Sequence, residues 1–287
     1  LPYSTAFSIV GFMNSTADTV VLISDLDGTL LDTATYSSKA ATEALTALKA
    51  EGISLVLSSS KTRAEMEPIR KRLAHEGPFI VENGGALFIP HGFFRHAPEG
   101  STSREGYEII EFGASYRSLR AAMKEIERVL KITIRGFGDM SVEEVSKLTG
   151  LAPGEAMLAQ QREYDEPFVL EDRETFPLIC REAAQRGLMC TKGGQFYHLL
   201  GPRDKGHACR VLLQHWRDQM NTGTGLLTIG IGDSANDLPM LAVVDQPILV
   251  QGPDGTHDPT VRLPHMIYAP GVGPVGWNAA VLKLVHT

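Results

Sequence analysis

From Val20 onward, short apolar runs alternate with stretches of helical period. The β-branched run VVLIS (20–24) is followed by SSKAATEALTALKAEG (37–52), whose apolar residues recur at helical spacing and stop at Gly52. ISLVLSS (53–59) is apolar again, TRAEMEPIRKRLAHEG (62–77) is helical, and PFIVE (78–82) reads as a third strand. This β-α-β-α-β order predicts an α/β fold built on a doubly wound, Rossmann-like parallel sheet with helices on both faces. In such sheets ligands bind beyond the carboxyl ends of the strands, and Asp25, Ser59 and Glu82 fall at those ends.

The pattern changes after an NGG turn at Asn83 and a strand ALFIP (86–90). YEIIEF (107–112) precedes the amphipathic SYRSLRAAMKEIERVL (115–130), then KITIRGF (131–137) and a helix opened by Ser141 with Glu144 three residues on, a capping box. A helix after Pro153, a strand PFVLE, a helix ending near Gly187 and strands LMCTK and QFYHLLG complete a segment with its own sheet. The expectation is an inserted α/β cap over residues 91–195, set within a core made of residues 20–90 and 196–287. Residues 1–19 form an N-terminal extension to which no role is assigned. The core resumes with the helix DKGHACRVLLQHWRDQM, the strand GLLTIGIGD, the helix NDLPMLAVV, the strand PILV and a last helix GWNAAVLKLV, while QGPDGTHDPT reads as a surface loop.

Composition narrows the function classes. With 287 residues, 43% of them hydrophobic, the chain can bury two moderate cores. A net charge of -7 gives no electrostatic footprint for nucleic acid or an anionic membrane, and no apolar run is long enough to span a bilayer. Three cysteines, Cys180, Cys190 and Cys209, are odd in number and lack CxxC spacing, which argues against a disulfide framework or a zinc cluster. The opening residues make a poor signal peptide. A cytoplasmic monomer or homodimer with no nucleic-acid or membrane partner is therefore expected.

The chemistry sits in four short stretches. VLISDLDGTLLD carries Asp25 and Asp27 one residue apart at a strand end, and GDSANDLPM delivers Asp233, Asn236 and Asp237 at another. Converging carboxylates repel and need a cation, and a hard ion with few protein ligands points to magnesium. A calcium loop is excluded because Gly28 falls at the fourth position of DLDGTLLD, where the sixth is required. VLSSSKT sets Ser58, Ser59 and Ser60 after a strand, where hydroxyls and backbone amides can hold an anion, and PRDKGHA places Lys205 at a helix start. A carboxylate that attacks a phosphate dianion needs this neutralising charge. Asp25 can then act as nucleophile, and Asp27 can protonate the leaving oxygen and later deprotonate water.

DLDGTLLD, SSSKT, Lys205 and GDSANDLPM, in this order, resemble the four motifs of the haloacid dehalogenase superfamily phosphatases, and the insert is similar to a C2-type cap. The resemblance implies that Asp25 and Asp233 ligate magnesium through carboxylates and Asp27 through its carbonyl. It implies that Ser59 and Lys205 hold the phosphoryl group, and that Asn236 and Asp237 support the site. Relatives often carry threonine in the second motif, so Ser59 is taken from among Ser58, Ser59 and Ser60, with Ser60 a further substrate contact. SSSKTRAEM, VENGGALFIP, QREYDEPF and GGQFYHLLGPRDKG are similar to the mannosyl-3-phosphoglycerate phosphatase subfamily. That likeness implies hydrolysis to mannosylglycerate through an aspartyl phosphate. A broader phosphatase acting on glucosyl-3-phosphoglycerate or sucrose phosphate is the alternative. A cap that reads a sugar and a carboxylate calls for a guanidinium and hydroxyl acceptors, which nominates Arg162 and Glu166, with Asn83 at the hinge and Asn236 beside the phosphate.

Plainer readings stand beside these. An isolated DxDG is usually a turn; here four motifs recur in order at strand ends. Without the subfamily likeness, Arg162, Tyr164 and Glu166 read equally as a solvated helix end before Pro167, and His198 as a structural histidine. His207 and the Arg70–Arg72 run read as helix surface. A phosphorelay receiver also combines an aspartate, a hydroxyl and a lysine, but it uses neither Asp27 nor an inserted domain. A non-catalytic sugar-phosphate sensor would not need the full catalytic set.

Overall fold

The computed structural model describes residues 19–193, 196–220 and 224–286. The N-terminal extension up to residue 18 lies outside the described residues, as do Gly194 and Gln195 of the GGQFYHLLG stretch. In chain order the elements begin β1 (Thr19–Ser24), α1 (Thr42–Ala50), β2 (Ser54–Ser58), α2 (Arg63–Leu73), β3 (Phe79–Val81), β4 (Ala86–Pro90), β5 (Thr102–Arg104) and β6 (Tyr107–Glu111). They continue with α3 (Tyr116–Leu130), β7 (Arg135–Gly136), α4 (Val142–Thr149), α5 (Pro153–Ala159), β8 (Asp165–Val169), α6 (Phe176–Gln185), β9 (Met189–Gly193) and β10 (Phe196–Leu200). The chain closes with α7 (Lys205–Gln219), β11 (Leu226–Gly232), α8 (Leu238–Leu241), β12 (Gln246–Gln251), β13 (Ile267–Val272) and α9 (Pro274–His286). These elements fall into two compact units, one ending at Ser58 and resuming at Leu213, the other running from Ser59 to Leu212.

The first unit holds a parallel sheet in the order β13-β12-β11-β1-β2. Val21, Leu22 and Ile23 of β1 are wholly buried, which is why the strand reads as a continuous apolar run rather than an alternating one. Trp277, Val281 and Leu284 of α9 and Ala44 and Leu48 of α1 are buried as well. The two helices are pinned where the side-chain carbonyl of Asn278 accepts the Ala44 N–H at 3.0 Å.

In the second unit, β3 and β4 form an antiparallel hairpin with Phe79 opposite Phe88, and β6 and β5 extend it. A separate antiparallel sheet has the order β7-β8-β10-β9. Its core joins Leu119, Met123 and Ile126, one apolar stripe of α3, to Ile179 of α6 and to Phe168 and Leu199 from the sheet. The α/β class, the parallel sheet and a distinct second sheet are those the pattern predicts, but β10, which the bounds 91–195 leave to the core, pairs with β8 and β9 in that second sheet. Two elements are shorter than expected. KITIRGF contributes only two strand residues because Gly136 leads straight into a tight turn over Phe137–Asp139, and NDLPMLAVV forms a tight turn over Ala235–Asp237 before the single turn of α8.

Candidate active site

In the first unit β1 and β11 run in parallel with Ser24 opposite Ile231, so the residues leaving their carboxyl ends enter one volume. The Asp25 N–H donates to the Ile231 carbonyl at 3.0 Å. The Asp25 carbonyl accepts from Ser24 Oγ at 2.7 Å, and that hydroxyl accepts the Trp277 indole N–H at 2.9 Å. Gly28 turns the chain just after Asp27 at a φ of +81°, and a Cβ there would stand 2.8 Å from Asp233 Oδ2. Only glycine allows both the conformation and the approach. Thr29 Oγ1 donates to Asp233 Oδ1 at 3.2 Å, and the N–H groups of Asp233 and Ser234 donate to Asp237 Oδ2 at 3.1 and 3.3 Å.

Carboxylate oxygens of Asp25, Asp233 and Asp237 consequently lie within 4.8 Å of one another. Like charges this close repel, and an all-oxygen set of buried or half-buried donors suits a hard divalent cation. The cluster contains the Asp237 carboxylate and not that of Asp27, to which the sequence reading gives a carbonyl role. Asp27 is half-buried and pairs across the turn with Leu31. Asn236 is half-buried, and its Oδ1 accepts from Ser234 Oγ at 3.2 Å.

The second unit carries the serine loop and Lys205. Ser59 is buried, and its Oγ accepts the Lys61 N–H at 3.2 Å. After β3 the chain turns through Glu82 and Asn83, both left-handed at φ +47° and +57°, and through Gly84 at +96°. A Cβ on Gly84 would meet the Asp204 carbonyl and stand 2.6 Å from Lys205 N, so this turn lies directly against the start of α7 and its buried lysine.

The carboxylate of Glu82 accepts three successive N–H groups, from Glu163 at 3.0 Å and from Tyr164 and Asp165 at 2.8 Å each. Arg162 Nε donates to the Asp165 carbonyl at 3.1 Å and lies 3.5 Å from Glu82 Oε2, while Nη2 donates to the Ser60 carbonyl at 3.1 Å and pairs with Asp165 Oδ2 at 3.0 Å. Asp165 also accepts from Asn83 Nδ2 at 2.9 Å and contacts His198 Nδ1 at 2.8 Å. Burial pushes the Glu82 carboxyl up to about 7, with Arg162 pulling the other way. Burial also raises Asp165, but His198 and Arg162 outweigh it and hold that carboxyl below its usual range.

Glu166 projects from the opposite face of β8. It is wholly buried, and its Oε1 accepts from Arg120 Nη1 at 2.7 Å and from the Gly138 N–H at 3.0 Å. Of the residues expected from sequence, the structure brings Asp25, Asp233 and Asp237 together in one unit, and Ser59, Ser60, Asn83 and Arg162 in the other through Glu82 and Asp165. Glu166 stands outside that second group. Glu82 and Asp165 received no role from the sequence, although Glu82 stands at a strand end and Asp165 lies within QREYDEPF; His198, buried against Asp165, has the structural place of the plainer reading.

The model of the haloacid dehalogenase-like hydrolases matches residues 22–99. A Methanococcoides burtonii protein named glucosyl-3-phosphoglycerate/mannosyl-3-phosphoglycerate phosphatase is 46% identical over 266 residues, covering 92% of this chain and 97% of that one. A Pyrococcus furiosus mannosyl-3-phosphoglycerate phosphatase is 36% identical over 232 residues, covering 80% and 90%. Among solved structures, a Thermoplasma acidophilum protein superposes with a TM-score of 0.67 at 18% identity, covering 94% of this chain and 99% of its own, a likeness of fold.

Proposed function

The chain belongs to the haloacid dehalogenase-like hydrolase family, and we propose that it is a magnesium-dependent phosphatase that converts mannosyl-3-phosphoglycerate to mannosylglycerate. The observation that carries the reading is the convergence of Asp25, Asp233 and Asp237 at adjacent strand ends, a donor set that fits magnesium. The relatives' names support the substrate, and one of them includes the glucosyl analogue, which we propose as a second substrate.

In this mechanism an Asp25 carboxylate oxygen attacks phosphorus, and Asp27 donates its proton to the departing sugar-glycerate oxygen. Asp27 then takes a proton from water, whose oxygen attacks the aspartyl phosphate, releasing inorganic phosphate and regenerating Asp25. Magnesium on the acidic cluster supplies positive charge that offsets repulsion between nucleophile and phosphate. Ser59, Ser60 and Lys205 hold the phosphoryl oxygens, Asn83 and Asn236 contact the substrate, and residues 91–195 act as a specificity cap. Arg162 and Glu166, both committed to protein partners, act in support rather than as direct contacts. Phosphate release across a panel of phosphomonoesters tests the reading: mannosyl- and glucosyl-3-phosphoglycerate should exceed sucrose phosphate and simple sugar phosphates in kcat/KM by at least about tenfold. Equal turnover of the whole panel would replace it with a broad-range phosphatase.

A further inference from the structure

Three consecutive carbonyls of the serine loop are turned toward one set of donors. Ser59 O accepts the Asn83 N–H at 3.0 Å, Ser60 O accepts Arg162 Nη2 at 3.1 Å, and Lys61 O accepts the Glu82 N–H at 3.0 Å. Two of these donors belong to the left-handed turn after β3, and the third comes from a residue a hundred positions further along the chain. A peptide's C=O and the following N–H point in opposite directions. Holding the Ser59 carbonyl on Asn83 therefore turns the Ser60 N–H away from these donors, the orientation an anion site needs.

We propose that Arg162 is a positioning residue: with Glu82 and Asp165 it forms a buried bracket that sets the Ser59–Ser60 loop for phosphate without touching the substrate. The inference rests on the phosphatase reading above. Arg162 spans from the Ser60 carbonyl to its own segment through the Asp165 carbonyl and carboxylate. Glu82 fastens that segment through the N–H groups of residues 163–165 while its backbone N–H holds Lys61 O. Asp165 closes the bracket on the Asn83 amide. A planar guanidinium can serve the Ser60 carbonyl, the Asp165 carbonyl and two carboxylates at once; a lysine ammonium, a single point of charge, cannot.

Arg162→Lys is the discriminating variant, with Glu82→Gln as an isosteric second. The measurements are kcat and KM for mannosyl-3-phosphoglycerate and for a small aryl phosphate, the inhibition constant of inorganic phosphate, the magnesium activation constant, and thermal melting. The bracket predicts that Arg162→Lys raises the phosphate inhibition constant and both KM values about tenfold, the loss of one well-placed hydrogen bond, with the magnesium constant unchanged. Glu82→Gln should shift the same quantities in the same direction by less. A loss confined to the sugar substrate would mean that Arg162 touches the glycerate, and a lower melting temperature with an unchanged phosphate constant would mean that it only packs; either overturns the proposal. A wild-type chain that binds phosphate but hydrolyses no phosphomonoester would defeat the phosphatase reading instead, leaving the dissociation constant of inorganic phosphate, measured by direct calorimetric binding to wild type and Arg162→Lys, to judge the bracket.

Discussion

The two charged centres of the molecule are built on opposite plans. At the ends of β1 and β11, Asp25, Asp233 and Asp237 bring like charges within 4.8 Å of one another. Around Arg162, by contrast, Glu82, Asp165 and Glu65 surround a buried guanidinium, and each carboxylate of the pair closest to it also takes hydrogen bonds from the chain. The first centre gathers negative charge in a donor set that could hold a cation, whereas the second spends its charge internally to hold backbone in place. Removing a carboxylate should therefore have opposite consequences in the two places.

The largest effect expected is on turnover. Asp25→Asn should lower kcat by about 10⁴-fold or more while the melting temperature stays level or rises, because a repelling charge is lost along with the proposed nucleophile. Near-normal kcat in a stopped phosphate-release assay would end the assignment. Glu82→Ala should do the reverse, costing about 3–5 kcal/mol in denaturant unfolding by leaving Arg162 buried with a missing partner. A cost below about 1 kcal/mol would show that the two centres do not differ in the way argued.

Smaller again is the metal's contribution. Magnesium at a hundred times its dissociation constant should stabilise the wild type by about 2.7 kcal/mol in thermal melts, and Asp233→Ala should abolish the shift. Arg120 supplies the smallest test: its hydrogen bonds hold Asp139 down at about 2, below the ordinary 3.8. Because the folded-state value is depressed, this contribution is complete above about pH 4 and disappears as the pH falls toward 2. The pair is partly exposed, so Asp139→Asn should cost no more than about 1 kcal/mol at neutral pH and flatten the acid limb of the stability curve.

The same contrast explains what could be read from the sequence. The acidic centre is local: each carboxylate follows an apolar strand within a short motif, and parallel pairing of β1 with β11 does the rest. The bracket is local only in part: Arg162 and Asp165 share the stretch QREYDEPF, three residues apart, but Glu82 comes from the turn after β3, and His198 nears Asp165 only through the antiparallel register of β8 and β10. Periodicity sees burial, not which buried charges will meet. The strands missed are those whose residues argue against a strand: β5 is exposed at all three positions, and β13 carries Pro270 and Gly271 and lies at the sheet edge. The α/β class and the longer helices were legible because apolar stripes such as Leu119, Met123 and Ile126 of α3 recur at helical spacing over successive turns.

The hydrogen-bond relay from Trp277 through Ser24 to the Asp25 carbonyl gives the enzyme a native optical probe. The chain holds two tryptophans, and Trp277 is fully shielded from solvent. With Trp216→Phe, the remaining emission would come from an indole two hydrogen bonds from Asp25, the proposed nucleophile. Charge placed on Asp25 by a phosphate mimic such as beryllium fluoride should shift that spectrum, and Ser24→Ala should mute the response, so that formation and decay of the covalent intermediate could be followed by light in an unlabelled protein.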